Sequence, residues 1–118
     1  MTAPSQLEIV KRLSELSRLL DAATVEVAEL DEAAVVAKQS HEVAYARAFL
    51  AADGPVDARK ALATVAVFDD ALAMELAAAK HRACRERINT IRSQLSIGQT
   101  LSAALRTQFS AEAVGQWT

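Results

Sequence analysis

The feature that most constrains this chain is an apolar residue recurring at alternating spacings of four and three. The series is Ile9, Leu13, Leu16, Leu20, Ala23, Val27, Leu30, Ala34, Ala37, His41, Ala44 and Ala48, broken only by His41. A seven-residue repeat held this long, with no Gly or Pro inside it, is the seam of a coiled coil. Its start is written just upstream, where Ser5 and Glu8 form a capping box in which each side chain satisfies the other's backbone N–H. The pattern predicts one helix over residues 5–52, roughly 70 Å long at 1.5 Å per residue.

Asp53-Gly54-Pro55 then ends it. Gly takes the left-handed conformation that terminates a helix, and Pro suits the first turn of the next one. Asp57 adds negative charge where the helix dipole favours it. A turn at 53–55 is short enough to make the two helices antiparallel neighbours. The second helix, residues 56–97 or on to 113, carries its apolar residues on two faces. Val65, Phe68, Leu72, Leu76, Ala79 and Ala83 share one, while Cys84, Ile88, Ile91, Leu95, Leu105 and Phe109 share another turned by roughly 90°. This predicts a bend or a change of partner near Ala83. Gly98 marks a second candidate break, since Gly weakens a helix interior by about 1 kcal/mol. Two faces also leave one seam unfilled. The chain is therefore expected to self-associate, or to fold residues 99–114 back as a short third helix, because a bare hairpin has little core of its own. Residues 114–118 are expected to leave the helix. The fold class is thus all-α, a long antiparallel helical hairpin in a single domain over residues 1–118 and a homo-oligomer.

Composition agrees with long helices that approach closely. About half of the 118 residues are hydrophobic, yet only five are aromatic and just two are Pro. No Val/Ile/Thr-rich alternating run suggests a strand. The net charge of −2 argues against coating nucleic acid with the whole surface and leaves room for a local basic patch. Cys84 is the only cysteine, which excludes an intrachain disulfide or a Cys-based metal site. The first residues lack the pattern of a signal peptide, and no apolar run approaches the roughly 20 residues that span a bilayer. The expected location is the cytoplasm, with no membrane partner.

Enzyme chemistry finds no foothold. The chain lacks a glycine-rich phosphate loop, a nucleophile elbow and a His-Glu-x-x-His pair. With the turn centred on Gly54, His41 falls opposite Val67 and His81 opposite Val27, so the two histidines do not meet. His41 reads as a polar residue that sets seam register or as a pH-sensitive oligomer contact; Cys84 reads as a small buried apolar residue. Neither a cofactor nor a metal is expected, and the chain reads as a non-enzyme.

Charge is more informative. Before residue 38 seven acids face three bases, whereas Lys80 to Arg106 holds six bases and the single acid Glu86. Arg82, Arg85 and Arg92, with Arg87 nearby, form a stripe beside the Ile88/Ile91/Leu95 seam, extended by Asn89, Ser96 and Gln99. Arginine forks suit phosphate oxygens. The same stripe also lies opposite Glu15, Asp21 and Glu26, whose salt bridges would orient the two helices with no ligand involved. Near the turn, Tyr45 and Phe49 with Arg47, Arg59 and Lys60 form a cluster that suits stacked single-stranded bases or simply packs the hairpin's end. Phe109 and Trp117 are candidate anchors for a protein partner.

Two stretches carry a resemblance. Tyr45 through Lys60, with Tyr-Ala-Arg-Ala-Phe-Leu-Ala-Ala-Asp-Gly-Pro at its start, and Arg85 through Arg106, containing Arg-Glu-Arg-Ile-Asn-Thr-Ile-Arg, resemble a family of small helical proteins of tailed phages of actinobacteria. Such proteins tend to be encoded among DNA replication and recombination genes. The layout is also similar to the UvsY recombination mediators, helical oligomers that bind single-stranded DNA and help load a recombinase. The resemblance implies a phage accessory protein in the host cytoplasm, with Tyr45, Arg47, Arg59, Lys60, Arg82, Arg85 and Arg92 toward DNA. The other function class open to the same architecture is a coiled-coil module that captures a host or phage protein, or a component of virion assembly.

Overall fold

The computed structural model describes residues 5–116. The fold is all-α, an antiparallel helical hairpin. It consists of α1 (Gln6–Ala51), α2 (Val56–Ala66) and α3 (Phe68–Gln116), with no strand among the described residues. The chain divides into two compact units, one of Met1–Thr24 with Glu86–Thr118 and one of Val25–Arg85.

The Val25–Arg85 unit holds the turn. The last turn of α1 closes with the Ala52 N–H shared between the carbonyls of Ala48 and Phe49, at 3.1 and 3.3 Å. Gly54 takes a φ of +108°, the left-handed conformation that residue types with a Cβ avoid. Pro55 precedes α2 with φ −65°, and its carbonyl accepts the Arg59 N–H at 3.0 Å to start the new helix. On α1 the inward residues are Val27, Leu30, Ala34, Ala37, His41, Ala44 and Ala48, the seam that the repeat marks out.

The second arm of the hairpin departs from expectation. The interruption lies at Val67, near neither Ala83 nor Gly98. Val67 has φ −106° and ψ 21°, yet its N–H still reaches the Ala63 carbonyl at 3.1 Å and its own carbonyl accepts from Ala71 at 2.9 Å. The hydrogen-bond ladder is bent rather than cut. Ala63 and Val67 are buried, and Ala71, Met74, Ala78 and His81 continue the inward face to the buried Cys84. Val65, Phe68, Leu72, Leu76, Ala79 and Ala83, expected in the seam, all lie outward, with Val65 76% and Phe68 64% exposed. The physical reason is the width of the gap. Ala34, Ala37, Ala44 and Ala48 line α1, and a close helix approach over alanines accepts Ala63, Ala71 and Ala78 but not a row of Leu and Phe. Register moves too: His81 Nε2 lies 3.7 Å from Asp31 Oδ1, so Asp31 stands where the turn-centred count places Val27, one helical turn away.

In the other unit, the capping box forms as the sequence implies. The Ser5 N–H donates to Glu8 Oε2 at 3.0 Å and the Glu8 N–H to Ser5 Oγ at 3.2 Å. Ile9, Leu16 and Ala23 of α1 are buried, as are Ile88 and Ile91 of α3; Leu13, Leu20, Leu95 and Leu105 are half-buried. Gly98 does not break the helix. A methyl group built on it would come within 2.5 Å of Leu13 Cδ2, so its missing side chain marks a close approach of α1 and α3. Residues 99–114 continue α3 instead of forming a separate helix, and α3 runs on through Gln116. Trp117 lies outside the described residues. Phe109, expected on the seam, is exposed.

Candidate functional site

The residues singled out for nucleic acid fall into two groups. The first is the basic part of α3. Arg82 and Arg85 in the Val25–Arg85 unit, and Arg87 and Arg92 in the other, are all exposed. They stay outside because the seam residues Cys84, Ile88 and Ile91 fix the phase of this stretch of α3. Among the described residues, no acid lies within ion-pairing distance of Arg82, Arg85 or Arg92. Arg12 pairs locally with Glu15 at 3.2 Å, one turn apart on α1, and His81 lies across the hairpin from Asp31.

The second group surrounds the turn, and here the geometry is different. The Arg59 guanidinium donates from Nε and Nη2 to the Phe49 carbonyl oxygen at 3.2 and 3.0 Å. Its Cζ sits 4.4 Å from the centre of the Phe49 ring. Arg59 thus satisfies a carbonyl at the C-terminal end of α1, where positive charge also offsets the helix dipole, and covers one face of the ring that a base would need for stacking. Sequence reasoning placed these two residues near each other but did not find this capping role. Its signal is a bare one: an Arg one turn into a helix, ten residues beyond the last turn of the helix before it. Tyr45 is half-buried with its ring centre 6.5 Å from that of His41. Arg47 and Lys60 are exposed, on α1 and α2 respectively. The turn brings Arg59 and Phe49 together and leaves Arg47 and Lys60 apart from that contact.

A groove of about 400 Å3 runs along the Met1–Thr24/Glu86–Thr118 unit, floored by Ile9, Leu13, Leu16, Ile97 and Leu101. On its rim Glu8 is engaged in the capping box and Arg12 with Glu15, while Gln94 completes the polar lining. Among the described residues, no three His, Cys, Asp or Glu side chains converge as a metal site, and no helix is long and apolar enough to cross a membrane. Comparison with protein-family models, curated proteins and solved structures finds no match to this chain.

Proposed function

We propose that this chain is a non-enzymatic accessory protein of phage DNA replication or recombination that binds single-stranded DNA through the arginines of α3. The observation that carries the reading is the state of Arg82, Arg85 and Arg92, which are exposed and paired with no acid of the described residues. A guanidinium left in water by its own protein keeps its full fork of donors for a phosphate. The resemblance of residues 45–60 and 85–106 to actinobacteriophage early proteins points to the same setting. The contact surface is narrower than the sequence suggests, because Arg59 serves the turn and occupies one face of Phe49.

The test is a fluorescence-anisotropy titration of a labelled single-stranded oligonucleotide at two salt concentrations. Binding that weakens with salt and disappears in the Arg82→Glu/Arg85→Glu/Arg92→Glu variant supports the reading. No binding at low salt removes it.

A second reading, a coiled-coil module that captures a phage or host protein, is favoured by the apolar groove between Leu13 and Ile97. It predicts a partner lost on Ile97→Glu and retained in the arginine variant.

A further inference from the structure

The Val25–Arg85 unit carries two outward apolar faces, one on each side of the hairpin. On α1, Val36, Val43 and Leu50 recur every seven residues and are 57, 50 and 75% exposed. On α3, Leu72 and Leu76 lie outward, with Phe68 at the start of the helix. A seven-residue spacing of apolar side chains on the outside of a helix is the pattern that another helix fills. The α1 face has more than spacing. Val36, Gln39, Ser40 and Val43 border a shallow hollow, and these positions, three, four and seven residues apart, are the four corners that receive a knob from a facing helix.

We infer that this hollow receives Leu76 of a second copy of the chain, so that copies assemble head to tail, the α1 face of one against the α3 face of the next. Charge selects both the occupant and its direction. With Leu76 seated in the hollow and the helices antiparallel, Leu72 arrives at Val43 and Phe68 at Arg47. Asp69 then lies beside Arg47 on one flank, and Arg82 beside Glu32 on the other. In an antiparallel pair like flanks face each other, so both contacts join opposite charges. The parallel arrangement with the same knob sets Glu32 against Asp69 and Arg47 against Arg82, two pairs of like charge. Arg47, Asp69, Glu32 and Arg82 are all exposed and make no ion pair among the described residues, so all four are open to a neighbour. Arg85, one turn further along α3 and rotated by roughly 60° away from this face, stays outward.

The two faces differ from each other, which makes the contact heterologous; such a contact continues into a ring or an open row and does not stop at a symmetric pair. This goes beyond the reading of the arginines as a DNA contact and is measured without nucleic acid, so either can fail alone; in the assembled row Arg82 is engaged by Glu32, and Arg85 and Arg92 are the arginines left for phosphate.

Sedimentation velocity of the whole protein over a hundredfold concentration range is the experiment. Wild type grows in mass with concentration. Val43→Glu and Leu76→Glu, substitutions at exposed positions whose helicity is checked by circular dichroism, each stay at the mass of one chain. Mixed together they form a species of twice that mass, because the first variant keeps its α3 face and the second its α1 face. Arg47→Asp weakens assembly and Asp69→Arg in the same chain restores it. A wild type that remains a single chain throughout overturns the inference, as does a mixture that fails to pair, which is the result expected of a symmetric interface or of a face made for another protein.

Discussion

The Arg59 guanidinium lies 4.4 Å over the ring of Phe49 while donating two hydrogen bonds to the carbonyl of that same residue. One side chain thereby ties the first turn of α2 to the last turn of α1. Charged hydrogen bonds of this kind contribute more than neutral ones, and Arg59 is half shielded from water. Arg59→Ala is expected to lower the stability of the chain by about 1–2 kcal/mol in urea denaturation. Arg59→Lys recovers only part of this, since an ammonium reaches one acceptor as a point charge and stacks poorly. Lys as good as Arg at this position would show that the fork geometry is irrelevant.

Gly98 gives a second test, in which two effects oppose each other. Its replacement by Ala removes the helix penalty of Gly, about 1 kcal/mol, but sets a methyl group 2.5 Å from Leu13 Cδ2. That atom is the end of a flexible, half-buried side chain beside an open groove, so it can turn away at small cost. Gly98→Ala is expected to leave stability unchanged or raised by up to about 1 kcal/mol. Gly98→Val, with two methyl groups and Leu13 Cγ at 3.3 Å from its Cβ, loses about 1–3 kcal/mol. Equal losses for Ala and Val, read from urea midpoints, would show that backbone rather than the Leu13 side chain limits the approach.

The first helix was legible in the sequence almost residue by residue, because its inward positions hold the four-three repeat over the helix's whole length, whereas the outward Val36, Val43 and Leu50 repeat only every seven residues and only near its end. Every member of the series from Ile9 to Ala48 is buried or half-buried. The turn was legible for a different reason: Gly54 and Pro55 have few other uses in adjacent positions. The start of the second arm was not, because α2 and α3 carry two apolar faces with the same spacing. Periodicity ranks them by bulk and selects Phe68, Leu72 and Leu76; packing ranks them by fit to an alanine-lined partner and selects Ala63, Ala71, Met74 and Ala78. The exposure of the α3 arginines followed from the same wheel that placed Ile88 and Ile91 inside. The role of Arg59 did not, since it depends on a carbonyl that only the folded turn presents.

That choice of face can be measured. Met74 is half-buried on the inward side and Leu72 is outward. At dilution, where any association between chains is lost, Met74→Ala is expected to cost about 1–2 kcal/mol, part of the range for a fully buried side chain. Leu72→Ala should stay within about 0.5 kcal/mol of wild type. The reverse order in chemical denaturation would return Leu72 to the seam and move the bend at Val67 elsewhere.

The salt dependence of DNA binding tests how many arginines touch phosphate. Each phosphate neutralised on a single strand contributes a slope of about −0.7 in log affinity against log salt, so Arg82, Arg85 and Arg92 together predict about −2 at protein concentrations where the chain is unassociated. Replacing any one of them by Ala should make the slope shallower by about 0.7 while leaving the unfolding midpoint in place, because each is exposed and outside the seam. Arg59→Lys should change the midpoint and not the slope, because its head group faces the Phe49 carbonyl. A slope that ignores the α3 arginines and follows Arg47 and Lys60 instead would move the contact to the turn.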